Sequence, residues 1–186
     1  MGKKTQKLRL SPEAWTLEEL EKIQGFRERA LDSGEEYANM NAWENILQVC
    51  GMSKNEFWDM TPVEYLEATK KVRFEGKIKR HFQKKVINGV TFIAFEEGEK
   101  FKIKAPQMAA IEKIAKSKNG VTFAEIMAGL LRRENETRED QITTVNINEK
   151  ATILKSMNAA EALPFLASWG NVCAEVYKRS LKNVTE

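Results

Sequence analysis

Two cysteines, one histidine and four prolines among 186 residues leave little material for several classes of protein. Cys50 and Cys173 are too few for a disulfide framework and lack C-x-x-C spacing, so a reducing compartment is expected. With a single His81, the chain matches no zinc-ligand spacing, and no cofactor is implied. No apolar run approaches the roughly 20 residues that cross a bilayer, so no membrane partner is expected. The opening Met1-Gly2-Lys3-Lys4-Thr5-Gln6 lacks the apolar stretch of an export signal. It also places Gln6 where the myristoylation pattern requires Ser or Thr, so a cytosolic site of synthesis is expected. What is present is ordinary for a folded protein: 42% hydrophobic and 31% charged residues, enough for a real core in one domain or two small ones.

The net charge of +3 conceals a strong polarity along the chain. Residues 1–11 carry a net +4, residues 12–69 a net −9, residues 70–85 a net +7 and residues 86–186 a net +1. Such asymmetry bears on association and partner charge rather than on fold.

The basic first eleven residues, anchored only by Leu8 and Leu10, predict an extended arm that orders against a partner. Thr16-Leu17-Glu18-Glu19 is a capping box that starts a helix with Leu17, Leu20, Ile23 and Phe26 at helical spacing, broken at Asp32-Ser33-Gly34. A second helix over 35–49 places Tyr37, Met40, Trp43, Ile46 and Leu47 on one stripe and ends at Gly51. Ser53/Glu56 caps a single turn bearing Phe57 and Trp58, and Thr61-Pro62-Val63-Glu64 caps another helix with Pro at its first position.

After Gly76 the apolar period changes from 3.6 to 2. Ile78, Phe82 and Val86 share one parity, Asn88-Gly89 supplies a type I′ turn, 90–95 returns, and Glu97-Gly98-Glu99 turns into a third strand over 100–104 with solvated lysines. Ala105-Pro106 opens a helix stopped by Asn119-Gly120, and Thr122/Glu125 caps the next, which points Phe123, Ile126, Met127, Leu130 and Leu131 inward. Residues 134–142 read as a loop. Final helices are expected over 148–157 and 158–182, with Pro164 confining or kinking the last. The pattern predicts a mostly helical α+β fold: a basic arm (1–11), a helical subdomain (12–75), a three-stranded antiparallel meander (76–104) and a helical subdomain (105–186).

Chemistry fails on inventory, so the chain is not expected to be an enzyme. His81 lies in a predicted strand beside Lys79, Arg80, Lys84 and Lys85, which oppose its protonation, and a surface role is expected for it. Phosphate-cradling and nucleophile motifs are absent, and the adjacent carboxylate pairs Glu18/Glu19, Glu35/Glu36 and Glu96/Glu97 point apart. Two surfaces remain as candidates. One is the basic stretch Lys70, Lys71, Arg73, Lys77, Lys79, Arg80, Lys84 and Lys85, which reads as a solvated sheet face, a contact for an acidic protein, or a nucleic-acid site. The other is the aromatic set Trp43, Phe57, Trp58, Tyr65 and Phe74, with Met60 beside it, which reads as packing of the helical half or as a ligand-binding box.

The stretch from Cys50 to Leu66, with Phe57-Trp58 ahead of Thr61-Pro62-Val63-Glu64, resembles the short helical motif of tailed-phage tail assembly chaperones. A second stretch is similar to a helical module of small tailed-phage morphogenesis proteins: Ala105-Pro106-Gln107-Met108, Ile126 through Arg133 and Asn158 through Phe165. The first resemblance implies a protein that keeps the tape measure protein soluble in the host cytoplasm during assembly. It also implies Phe57, Trp58, Met60, Thr61, Pro62, Glu64 and Tyr65 as scaffold of the binding surface. The surrounding meander and the charge polarity keep a rival expectation open: a homo-oligomeric neck or tail ring subunit retained in the virion.

Overall fold

In the computed structural model, which describes residues 8–33, 36–76 and 79–185, the helices start where short-range capping chemistry tells them to. Side chains of residues 30–33, 36–38 and 179–185 lie outside that description, as do the arm residues 1–7, the break at Gly34, and Lys77 and Ile78 of the expected first strand.

Helix α1 spans Leu17–Ser33. The Thr16 amide donates to Glu19 Oε2 at 2.9 Å and the Glu19 amide to Thr16 Oγ1 at 3.2 Å, two orphan donors satisfied reciprocally. Helix α2 (Glu36–Val49) returns against it, and α3 (Lys54–Trp58) and α4 (Pro62–Lys71) follow, each with its expected capping box formed. Residues 8–11 are not held back for a partner. Arg9 donates its amide to Cys50 O at 2.9 Å and its guanidinium to Glu19 and Val49 O, while Trp15 Nε1 donates to Arg9 O.

Strands β1 (Lys84–Ile87) and β2 (Val90–Ile93) form the expected hairpin. Asn88 at φ 47° and Gly89 at φ 78° adopt the left-handed conformations that a type I′ turn requires. Two features depart from the sequence reading. The bend at Gln83 resets the parity, so Val86 stands 61% exposed while Ile87 and Phe92 are buried. The third strand is β3, Arg132–Arg133, which pairs antiparallel with β2 through Phe92 and Ile93. Residues 100–104 are extended but unpaired, because β2 already has a neighbour on each side. The described sheet is thus three-stranded and antiparallel, in the order β1-β2-β3.

Helix α5 (Ala105–Lys118) stops at Asn119, left-handed at φ 55°. Helix α6 (Phe123–Leu130) is capped by Thr122/Glu125 and is buried throughout from Ala124. Helix α7 spans Thr144–Leu154, four residues ahead of expectation, because Thr143 accepts from the Asn146 amide. Helix α8 (Ala159–Thr185) runs through Pro164.

One continuous core joins the two helical parts, with Trp15, Leu17 and Ile23 packed in the same cluster as Met127, Leu130 and Phe165. The seam is also stitched by backbone. Thr16 bridges Asn158, Leu17 N donates to Met157 O at 2.7 Å, and Ala159 N donates to Trp15 O at 2.9 Å. Full burial of a side chain such as Leu17 or Phe165 contributes about 1.5–3 kcal/mol each, which makes this seam a principal source of stability.

Candidate functional site

The tightest local signals in the sequence, the boxes at Ser53/Glu56 and Thr61/Glu64, fix two short helices at an angle to one another. The Ser53 amide donates to Glu56 at 2.8 Å and the Thr61 amide to Glu64 at 2.8 Å, with the reverse bonds at 3.2 and 3.3 Å. Phe57, 4% exposed, is the pin that holds the pair to the core. It meets Trp58 edge-on at 5.5 Å and Tyr65 at 6.0 Å. Tyr65 is half-buried, which pushes its hydroxyl above the usual tyrosine range, and Met60 is half-buried beside it.

Trp58 is different. It is 46% exposed, and with it stand Val63 at 66% and Leu66 at 53%. Val63 and Leu66 lie one turn apart on α4, away from the face carrying Tyr65 and buried Ala68. The sequence reading missed these two. Their signal was available, since α4 carries two apolar faces and a short surface helix can bury only one.

On the opposite flank of α4 lies a groove of about 430 Å³. Leu8, Leu10, Met52 and Met60 give it apolar walls, while Glu56, Asp59, Glu64 and Glu67 outnumber Lys71 around it. The −9 of residues 12–69 is thus concentrated partly on this element.

The basic stretch is dispersed by comparison. Lys70 and Lys71 end α4, Arg73 follows it, Lys79 and Arg80 sit on an extended segment, and Lys84 and Lys85 begin β1. Lys77 lies outside the described residues. Lys71 pairs with Glu67 at 3.6 Å, Lys84 with Glu134 and Lys85 with Glu161. Lys70, Arg73, Lys79 and Arg80 are exposed and make no ion pair among the described residues.

His81 is not on a strand. Its ring stacks on Phe101 at 4.4 Å and meets Phe165 edge-on at 4.8 Å, and Nε2 lies 3.1 Å from Pro164 O and 3.0 Å from Ser168 Oγ. Burial lowers its pKa and so favours the neutral ring, partly offset by the bond to the Pro164 carbonyl. With Phe82, Phe95, Phe101 and Phe165 it forms a second aromatic cluster. Of the expected aromatic centre, Trp43 packs with Phe74 at 5.9 Å, under Arg27, while Phe57, Trp58 and Tyr65 form a group of their own.

Sequence reasoning also missed Lys150, which is fully buried. Its ammonium donates to Leu131 O at 2.8 Å, Gln141 O at 3.1 Å and Glu136 Oε2 at 3.3 Å. Burial pulls its pKa down to about 8. Gln141 and Gln107 donate to Gly129 O and Leu130 O, so three side chains from separate segments satisfy consecutive carbonyls at the end of α6. The lysine therefore has a structural task. Burial likewise pushes the Cys50 thiol up to about 11, the opposite of an activated nucleophile.

Among the described residues, no group of three or more His, Cys, Asp or Glu is placed to hold a metal ion, and no helix is long and apolar enough to cross a membrane. No protein-family model, curated protein or solved structure matches the chain.

Proposed function

We infer that this chain is a non-enzymatic assembly protein that works by protein–protein contact, with the α3–α4 pair as its contact surface. The observation that carries the reading is the displayed trio Trp58, Val63 and Leu66, large apolar side chains held on two capped helices pinned by Phe57. A half-exposed tryptophan on a rigid element is the type of anchor that dominates binding energy at protein interfaces. The trio falls inside the stretch that resembles tail assembly chaperones, which makes the expected client an apolar segment of a phage tape measure protein, held soluble in the host cytoplasm while the tail assembles. Met52 and Met60 in the adjoining groove add adaptable contact area.

A second reading, a neck or tail ring subunit of the virion, is supported by the charge polarity. An acidic groove beside α4 and a stretch of net +7 on one protomer suit head-to-tail contact between copies. Nucleic-acid binding through residues 70–85 draws less support, because Lys71, Lys84 and Lys85 already face carboxylates.

Co-expression with a tape measure protein, taken from a neighbouring reading frame where one is found, tests the first reading. The client is expected to be soluble with this chain and to precipitate with the Val63→Asp/Leu66→Asp variant, whose melting temperature should stay near the parent's because both side chains are mostly exposed. A client equally soluble with either form would sink the assignment of the surface. Mass spectrometry of purified virions separates the two readings: stoichiometric copies reject the chaperone, and absence rejects the ring. For nucleic acid, the signature is an affinity that falls steeply with salt.

A further inference from the structure

Away from α3–α4, several stretches of chain converge on a half-open pocket of about 270 Å³. The end of β2, residues 99–104, the start of α5, Arg132 and residues 138–142 all contribute to it. Ile93, Phe95, Pro106 and Ile142 make its walls largely apolar. Its frame is fixed from behind, since the buried amides of Gln107 and Gln141, which also line it, are held by Leu130 O at 3.1 Å and Gly129 O at 3.0 Å.

The charges around this cavity are unevenly committed. Arg132 is held by two hydrogen bonds, with Nη1 donating to Glu136 O at 3.2 Å and Nη2 to Glu96, whose carboxyl it holds below the usual carboxylate range. Arg138 lies 3.7 Å from Glu99 and 4.0 Å from Glu96, too far for a hydrogen bond, and it makes none among the described residues. Lys100, Lys102 and Lys104 alternate along an extended segment, which sets all three on its exposed side while Phe101 and Ile103 turn inward. None of the three makes an ion pair among the described residues. Against these five cations stand Glu96, Glu99 and Glu139. The result is a positive mouth on an apolar pocket, with three lysines outside any ion pair among the described residues and an Arg138 guanidinium whose long ion pairs to Glu99 and Glu96 leave its hydrogen-bond donors unfilled.

We propose that this cavity binds a small organic anion, its apolar body between Phe95 and Ile142 and its carboxylate or phosphate at the mouth, on Arg138 and the three lysines. A planar fork with open donors matches either anionic group bidentately. A neutral ligand would leave those donors unmet, and a cation would face a net positive rim. The volume lies just under the roughly 300–1,000 Å³ of drug-sized sites, which limits the ligand to about one ring or a short branched chain. This site is separate from the α3–α4 surface, and its fate does not depend on the function inferred from that surface.

The test is titration calorimetry on the full chain with benzoate, phenyl phosphate, benzyl alcohol and benzylamine, with amide NMR shifts to locate each probe. Saturable one-to-one binding is expected for at least one of the two anions, with shifts at Ala94 and Ile142. Preference for benzoate or for phenyl phosphate identifies the anionic group. The neutral and cationic probes should bind at least about tenfold more weakly, and Arg138→Gln or Lys100→Glu/Lys102→Glu should each weaken the anion by about tenfold, the worth of one charged hydrogen bond. These side chains are exposed, and Arg138 makes only long surface ion pairs, so melting temperatures near the parent's confirm that folding is intact. Absence of saturable shifts at this cavity with either anion up to about 10 mM, well above the concentrations at which such a contact would saturate, overturns the proposal. So does binding of benzyl alcohol as tight as that of the anions, or affinity unmoved in both variants.

Discussion

Lys150 carries more of this fold than any feature of its own sequence neighbourhood announces. Its ammonium is the only donor to Leu131 O and Gln141 O through a side chain among the described residues, and Lys150→Met is expected to lower stability by about 1–3 kcal/mol in urea denaturation by stranding those acceptors. The lysine also confers a pH signature. Its pKa falls from 10.5 in the unfolded chain to about 8 in the native state, so between those values the unfolded state binds the extra proton. Stability is therefore expected to rise as pH climbs from about 8 toward 10.5, and Lys150→Met should flatten that rise relative to the parent. A second residue-level test concerns Gly129, where an added Cβ would lie 2.5 Å from Ile111 Cγ1. Gly129→Ala is expected to destabilise by about 1–3 kcal/mol through overpacking, with partial recovery in Gly129→Ala/Ile111→Ala. None of this was legible in the sequence. The burial of Lys150 and the closeness of Gly129 both arise where α5, α6 and α7 meet, and residues that meet by tertiary packing leave no spacing to read.

The elements tell the opposite story where their signals are local. Thr16/Glu19, Ser53/Glu56, Thr61/Glu64 and Thr122/Glu125 are all formed as read, because a cap and its partner sit three residues apart and need nothing from the rest of the chain. Ser53→Ala and Thr61→Ala are each expected to remove about 1 kcal/mol, read as a drop in chemical-denaturation midpoint, since Ser53 caps the helix of Trp58 and Thr61 the helix of Val63 and Leu66. Strand pairing was legible only as far as the hairpin turn. Asn88-Gly89 fixed β1 against β2, but the alternating Lys100, Lys102 and Lys104 mimicked a third strand while Arg132–Arg133 took the place beside β2. Period-2 patterning reports that a segment is extended with one wet side. It does not report which edge the segment finds.

At the scale of the whole molecule, a mostly helical α+β architecture was legible, and so was the electrical polarity. The boundary drawn near residue 104 was a change of local pattern rather than a division of the core. Leu17, Leu20 and Ile23 share their cluster with Met127, Leu130 and Phe165, and the Phe123 amide donates to Glu21 at 3.0 Å across it. Fragments 8–104 and 105–186, expressed apart, are expected to show collapsed amide dispersion in NMR and to recover native-like dispersion only on mixing, because each exposes the face that the other covers. The candidate surface was half legible. The motif covers the element that displays Trp58, whereas the exposure of Val63 and Leu66 emerged only once it was known which side of α4 faces inward.

The stitch between Thr16 and Asn158 sets the order of events at the ribosome. Helix α1 is synthesised well ahead of the segment that covers it, so its apolar stripe stays wet until Met157 to Phe165 has followed. A nascent chain in that condition is a natural client for holdase chaperones, and synthesis stalled before Phe165 would yield an aggregating product rather than a smaller working one.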